Sequence, residues 1–306
     1  MHKYKKEFII SSWILAGLII AVASFYTVTP FRSFITDAYH SIFKRIISDR
    51  VLEEKGKSYS NITYCAPGDS RQTLDIFLPD RRGDSRVPLV IFIHGGGWRL
   101  GDKANREVAF YGESLLKNNI AIASINYRLA PAHTYPTQND DIACAIKYLQ
   151  NHASTYQFSD RWAIFGDSAG AQLGALAMTD KQINRPLVAF VGFYGPYDLS
   201  LQTTRSPHKD VDAISYTNHA RDAQQASPIN HPARQGAEYW LYHGTKDRIV
   251  SINQSQRFYT KLLDEGIPAH LTIVQNASHA FGSLSRPSSQ EIRSTLTQSL
   301  VEILED

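Results

Sequence analysis

Residues 162–170 read Trp162-Ala163-Ile164-Phe165-Gly166-Asp167-Ser168-Ala169-Gly170, and small and apolar residues continue to Thr179. An apolar run, a glycine-flanked serine and a small-residue run predict strand, sharp turn and helix in succession. The bare pattern G-x-S-x-G is a weak signal, and this setting is what strengthens it. Its glycines have a steric reason. A serine held in a strained turn tolerates no side chain at the positions two before and two after it. The start of a helix beside Ser168 also favours negative charge there. Ser168 is therefore a candidate nucleophile.

Outward from this turn the chain alternates. Strand-like runs occupy residues 60–64, 73–78, 89–94, 120–126, 162–165, 189–193, 239–242 and 270–274. Helical patterns occupy 103–117, 137–152, 169–179, 252–264 and 290–304. Runs as apolar as Leu89-Val90-Ile91-Phe92-Ile93 suit parallel strands buried on both faces. The predicted class is α/β, a mostly parallel sheet with helices on both sides. Residues 197–236 break the alternation. They are polar, carry Pro207, Pro228 and Pro232, and exceed the length of an ordinary connection. They are a candidate lid or binding surface, or else a mobile loop.

Two more motifs bear chemistry. His94-Gly95-Gly96-Gly97-Trp98 ends one strand, and its glycines leave backbone N–H groups free to face a developing oxyanion. A phosphate loop is the alternative, but no P-loop Lys-Ser/Thr pair follows. Asp247 and His279 each lie in a loop after a late apolar strand. The chain order Ser168, Asp247, His279 is that of one known class of catalytic triad.

Together these residues resemble the α/β-hydrolase superfamily. Within it the chain is most similar to hormone-sensitive-lipase-type and feruloyl-esterase-like carboxylesterases. The resemblance is carried by Leu74-Asp75-Ile76-Phe77-Leu78-Pro79, the 94–98 run, Gly101-Asp102-Lys103, Tyr127-Arg128-Leu129-Ala130-Pro131, the 166–170 turn and the two late loops. It covers about residues 59 to 300. It implies an α/β-hydrolase fold and a serine esterase acting on a small-molecule ester. Ser168 would be the nucleophile, His279 the general base and then acid, and Asp247 the partner that fixes the imidazole. Gly96, Gly97 and Ala169 would supply the oxyanion hole, with Gly95 a substitute for one glycine. No cofactor is implied. An amidase, formamidase, peptidase or acyltransferase could use the same acyl-enzyme. A non-catalytic interaction module would be expected to have lost part of this set.

Neighbouring residues have blander readings. His94 reads as a structural histidine under the glycine loop, and Trp98 as acyl-pocket lining or packing. Asp167 would organise nearby loops, and Asp140 and Asp141 sit near a helix start. His208, His231 and His243 lack zinc spacing, and His219 and His231 read as surface residues.

Composition limits the rest. The 306 residues are 43% hydrophobic and 20% charged, which excludes a disordered or collagen-like chain. The net charge of +3 is carried largely by the N-terminal lysines, so the body offers no nucleic-acid footprint. Residues 8–28 carry no charge and follow Lys3, Lys5 and Lys6. They are just long enough to span a bilayer, with the body on the far side. A signal peptide cleaved after Ala23 is the rival reading. Residues 1–28 are thus an anchor or signal, residues 29–58 an amphipathic helical linker, and residues 59–306 the catalytic domain. Cys65 and Cys144 read as two unpaired, mostly buried thiols, with a single bridge between them the alternative that no signal marks.

Overall fold

A computed structural model describes residues 56–65, 68–80, 85–183, 187–201, 216–217, 220–281 and 286–305. Its strands are β1 (Gly56–Thr63), β2 (Thr73–Pro79), β3 (Val87–Ile93), β4 (Ala121–Ile125), β5 (Phe158–Asp167), β6 (Leu187–Phe193), β7 (Glu238–Gly244) and β8 (Ala269–Val274). Its helices are α1 (Arg106–Lys117), α2 (Thr137–Asn151), α3 (Ala169–Thr179), α4 (Ala220–Gln225), α5 (Asn253–Asp264) and α6 (Arg286–Glu305).

The strands form one sheet in the order β1-β2-β4-β3-β5-β6-β7-β8. β1 and β2 pair antiparallel, as do β2 and β4, and every pair from β4 and β3 to β8 is parallel. Two buried layers cover its faces. Ile142, Ile146 and Leu149 of α2, Leu173 of α3 and Phe258 of α5 pack on one side. Val108, Tyr111 and Leu115 of α1 and Leu296 and Leu300 of α6 pack on the other. Burial on both faces explains why β3, β4 and β6 are nearly all apolar, whereas the edge strand β8 alternates. This is the α/β-hydrolase fold.

The predicted and observed elements differ in places. β1 begins at Gly56 rather than residue 60, so the end of the expected linker is strand. α1 begins at Arg106, not 103, because the Asn105 side chain caps it by accepting the Val108 N–H, while Lys103 lies before the helix, buried and ion-paired to Asp75 of β2 at 2.5 Å. The cysteines are not free thiols: Cys65, in the turn after β1, is disulfide-bonded to Cys144 on α2. Folding brings Cα atoms 79 positions apart in sequence to 6.2 Å, within disulfide reach, and no local sequence signal marks that meeting.

The expected anchor at 1–28 and most of the linker lie outside the described residues, as do His208 and His219. Among the described residues no helix is long and apolar enough to cross a membrane. The described parts of segment 197–236 are not loose: Tyr197, Leu199, Tyr216, Ala223 and Ala226 lie in the core.

Candidate active site

β5 delivers Ser168 and α3 begins directly after it. Ser168 has φ 50° and ψ −120°, a left-handed conformation that costs a non-glycine residue energy and persists only where its surroundings enforce it. Those surroundings are visible. A Cβ on Gly166 would strike the carbonyl of Gly170, and one on Gly170 would strike the carbonyls of Ile93 and His94. The Ser168 N–H donates to Phe193 O at 2.8 Å, tying the turn to the end of β6. Ser168 is 7% exposed.

The loops after β7 and β8 bring in the two partners. Ser168 Oγ donates to His279 Nε2 at 3.1 Å, and His279 Nδ1 donates to Asp247 Oδ2 at 2.7 Å. These partners assign the tautomer, with the proton on Nδ1. Asp247 Oδ1 accepts the N–H groups of Ile249 and Val250 at 2.9 and 3.0 Å. Burial pushes the Asp247 carboxyl up, but hydrogen bonds from His243, His279 and Val250 outweigh it and hold the group well below the usual carboxylate range. The ring of Tyr194 stands edge-on to His279, with centroids 4.7 Å apart.

The glycine loop faces the serine. The Gly95 N–H donates to Asp167 Oδ1 at 3.0 Å, which ties loop to elbow and removes Gly95 as a substitute oxyanion donor. Gly96 (φ 115°) and Gly97 (φ 59°) turn the chain, and Gly96 O accepts the N–H groups of Arg99 and Leu100. None of the bonds holding loop and elbow uses the N–H groups of Gly96, Gly97 or Ala169. Ala169 opens α3, where an N–H has no intrahelical acceptor.

The residues around the loop are structural. His94 is 1% exposed and stacks on Tyr127 with centroids 4.2 Å apart. Its Nδ1 donates to Gly95 O at 2.7 Å and its Nε2 accepts from Arg71 Nη2 at 3.3 Å. Trp98 is fully buried. It donates to Gln172 Oε1 at 2.8 Å and stacks on Tyr216 at 4.6 Å, so it packs rather than lines an open pocket. Burial, with Glu107 nearby, pushes the Asp167 carboxyl well above its ordinary range. Asp141 is no cap: it is buried within α2 and grips the Arg128 guanidinium.

Sequence reasoning missed the roles of five residues. Arg71 binds His94, Gly101 O and Asp102. Asn126 joins Asp102 to the Lys103 backbone. Lys103 and Asp75 form a buried pair, and His243 reaches Asp247. Asp75 and Lys103 stand in the resembling motifs and His243 in the run that leads to Asp247, whereas Arg71 and Asn126 lie outside them and carry no sequence signal.

Known proteins place this geometry. Residues 74–262 match the BD-FAE family model. Esterase LipC of Mycobacterium tuberculosis is 27% identical over 213 residues, which is 63% of this chain and 53% of that protein. The carboxylic ester hydrolase LipN of the same organism is 38% identical over 133 residues, 43% of this chain and 34% of that protein. The chain spans about half the length of the curated relatives it matches. Among solved structures, a truncated carbohydrate esterase from gut microbiota superposes with TM-score 0.67 at 22% identity, covering 80% of this chain and 96% of that one. Inhibited esterase B from Lactobacillus rhamnosis gives TM-score 0.69 at 19% identity, covering 89% and 97%. Both structural likenesses show the fold.

Proposed function

The chain belongs to the BD-FAE family, and from that premise we propose that it is a serine esterase that cleaves small-molecule carboxylic esters through an acyl-enzyme. One observation carries the reading: Ser168 Oγ, in a strained elbow, lies 3.1 Å from His279 Nε2, whose other nitrogen lies 2.7 Å from the buried carboxylate of Asp247. A serine alcohol is a weak nucleophile, and an adjacent base oriented by a third group is what activates it.

His279 Nε2 takes the Ser168 proton as Oγ bonds to the ester carbonyl carbon. The carbonyl oxygen becomes an oxyanion facing the N–H groups of Ala169, Gly97 and Gly96. Collapse breaks the bond to the alkoxide, which leaves with the proton from His279. Water then repeats the sequence on acyl-Ser168, releasing the acid and restoring the serine. Asp247 keeps the acceptor nitrogen of His279 toward Ser168 and stabilises the imidazolium formed in each half. Each oxyanion donor is worth about 10²–10³ in turnover. Trp98 stacked on Tyr216 supports a role for segment 197–236 as a wall beside the glycine loop. Relatives named as esterases favour ester over amide substrates.

We place the catalytic domain outside the cytoplasm, anchored or released by the N-terminal segment. The lysine-flanked apolar run at 8–28 and the Cys65–Cys144 disulfide support this, since disulfides persist in oxidising compartments.

The test is hydrolysis of p-nitrophenyl esters of increasing acyl length by the full-length chain and by Ser168→Ala. Turnover that vanishes in the variant is expected. Equal turnover in both overturns the assignment of Ser168.

A further inference from the structure

β7 ends in Tyr242-His243-Gly244, and the His243 side chain is fully buried one helical-turn spacing from Asp247. Its contacts are specific. Nδ1 lies 2.8 Å from Ser255 Oγ on α5. Nε2 lies 2.9 Å from Val250 O and 3.3 Å from Asp247 Oδ2. A carbonyl and a carboxylate can only accept, so Nε2 carries the proton, donates it to Val250 O and sets the positive edge of the ring against Asp247 Oδ2. Nδ1 is then an acceptor, and the buried Ser255 hydroxyl donates to it.

Asp247 Oδ2 is thereby held by two imidazoles, His279 from one side and His243 from the other. Oδ1 is held by two backbone N–H groups. Three hydrogen-bond donors and the His243 N–H edge fix the rotation of the carboxylate. Removal of His243 leaves Oδ2 with His279 alone, so the carboxylate can pivot about its Oδ1 anchor and carry His279 out of line with Ser168.

We propose that His243, backed by Ser255, is a positioning residue for the Ser168–His279–Asp247 site, holding Asp247 Oδ2 in line with His279 Nδ1. This rests on the esterase reading of that site. It predicts an effect on the rate of nucleophilic attack, because Asp247 acts through His279 and not on bound substrate. A residue that only ties β7 to the Val250 turn would instead alter stability.

The experiment compares His243→Phe, which keeps ring volume without the donor, with His243→Gln. Glutamine Nε2 stands the same number of bonds from the backbone as histidine Nε2 and restores an N–H. Two readouts are taken on the full chain: kcat and KM on p-nitrophenyl acetate, and the rate at which a fluorophosphonate probe labels Ser168. His243→Phe is expected to lower kcat and labelling at least about tenfold with KM within about twofold, and His243→Gln to regain most of the loss. A folded His243→Phe with wild-type rates overturns the proposal. So does a loss that His243→Gln fails to regain. If His243→Phe does not fold, Ser255→Ala decides. A several-fold fall in kcat at constant KM and unchanged melting temperature supports the relay, and wild-type kcat overturns it. An unlabelled, inactive wild-type chain removes the esterase reading and this one with it. A labelled wild type beside an equally labelled His243→Phe removes this one alone.

Discussion

Acid is expected to destabilise this protein through one identifiable residue under the glycine loop. His94 is buried, stacked on Tyr127, and donates from Nδ1 to Gly95 O. Its Nε2 accepts from Arg71, so a proton on that nitrogen would abolish the bond and set two cations in contact. Burial, then Arg71, push the His94 pKa from its ordinary 6.5 down to about 4, against smaller opposing effects of Gly95 O and Asp102. The unfolded chain binds this proton at a pH where the folded chain refuses it. Stability is therefore complete above 6.5, falls as pH drops toward 4, and levels off below. At about 1.36 kcal/mol per pKa unit, the loss is about 2–3 kcal/mol, most of it reached by pH ~4.5. Urea unfolding of the wild type and of His94→Gln, from about pH 7.5 to about pH 4.5, isolates it. Carboxylates such as Asp247 titrate in both chains and cancel in the difference. The wild-type advantage over the variant should shrink by about 2–3 kcal/mol across that range. A difference that does not change with pH would refute the reasoning and leave His94 titrating as an ordinary imidazole.

Three other substitutions follow from the same geometry. Asp247→Asn removes the carboxylate that fixes the His279 tautomer. Turnover of p-nitrophenyl acetate should fall about 10⁴-fold with the circular dichroism spectrum retained, and near-normal turnover takes Asp247 out of the proposed triad. Gly170→Ala drives a methyl group into the Ile93 and His94 carbonyls, backbone that cannot rotate away. Its urea midpoint should fall by an amount equivalent to several kcal/mol, and a midpoint equal to that of the wild type would disprove the contact. Cys144→Ser opens a covalent link between residues 79 positions apart and should cost about 2–4 kcal/mol. The wild type under reducing conditions should show the same loss, and two unchanged melting temperatures would mean that the bond carries no stability.

The parts of this molecule that sequence revealed are those where a local demand is written in adjacent residues. The elbow is the clearest. Gly166 and Gly170 are glycines because backbone lies where their side chains would be, and both stand two residues from Ser168. The disulfide, the Asp141–Arg128 grip and the His243–Ser255 contact have no such signature. Cys144 carries no local mark of a bridge because its partner Cys65 lies 79 positions away, in the turn after β1. Lys103 falls within a helical pattern in the sequence because hydropathy periodicity registers a charge but not the buried Asp75 that neutralises it.

Long range in sequence is not by itself illegible. Ser168 and His279 are 111 residues apart, yet their meeting could be anticipated from chain order. The reason lies in the sheet. β5, β6, β7 and β8 run parallel and in sequence order, so the loops following them emerge at one edge, where open α/β sheets gather their functional groups. Three residues, each just after such a strand, need no further information to converge. The support beneath the glycine loop obeys no comparable rule. Arg71 precedes β2, an antiparallel strand between β1 and β4, and reaches His94, Gly101 and Asp102. Chain order predicts nothing about which end of such a strand meets which loop. The residues of the proposed triad are thus placed by topology, and those that hold them by side-chain packing that only the folded structure displays.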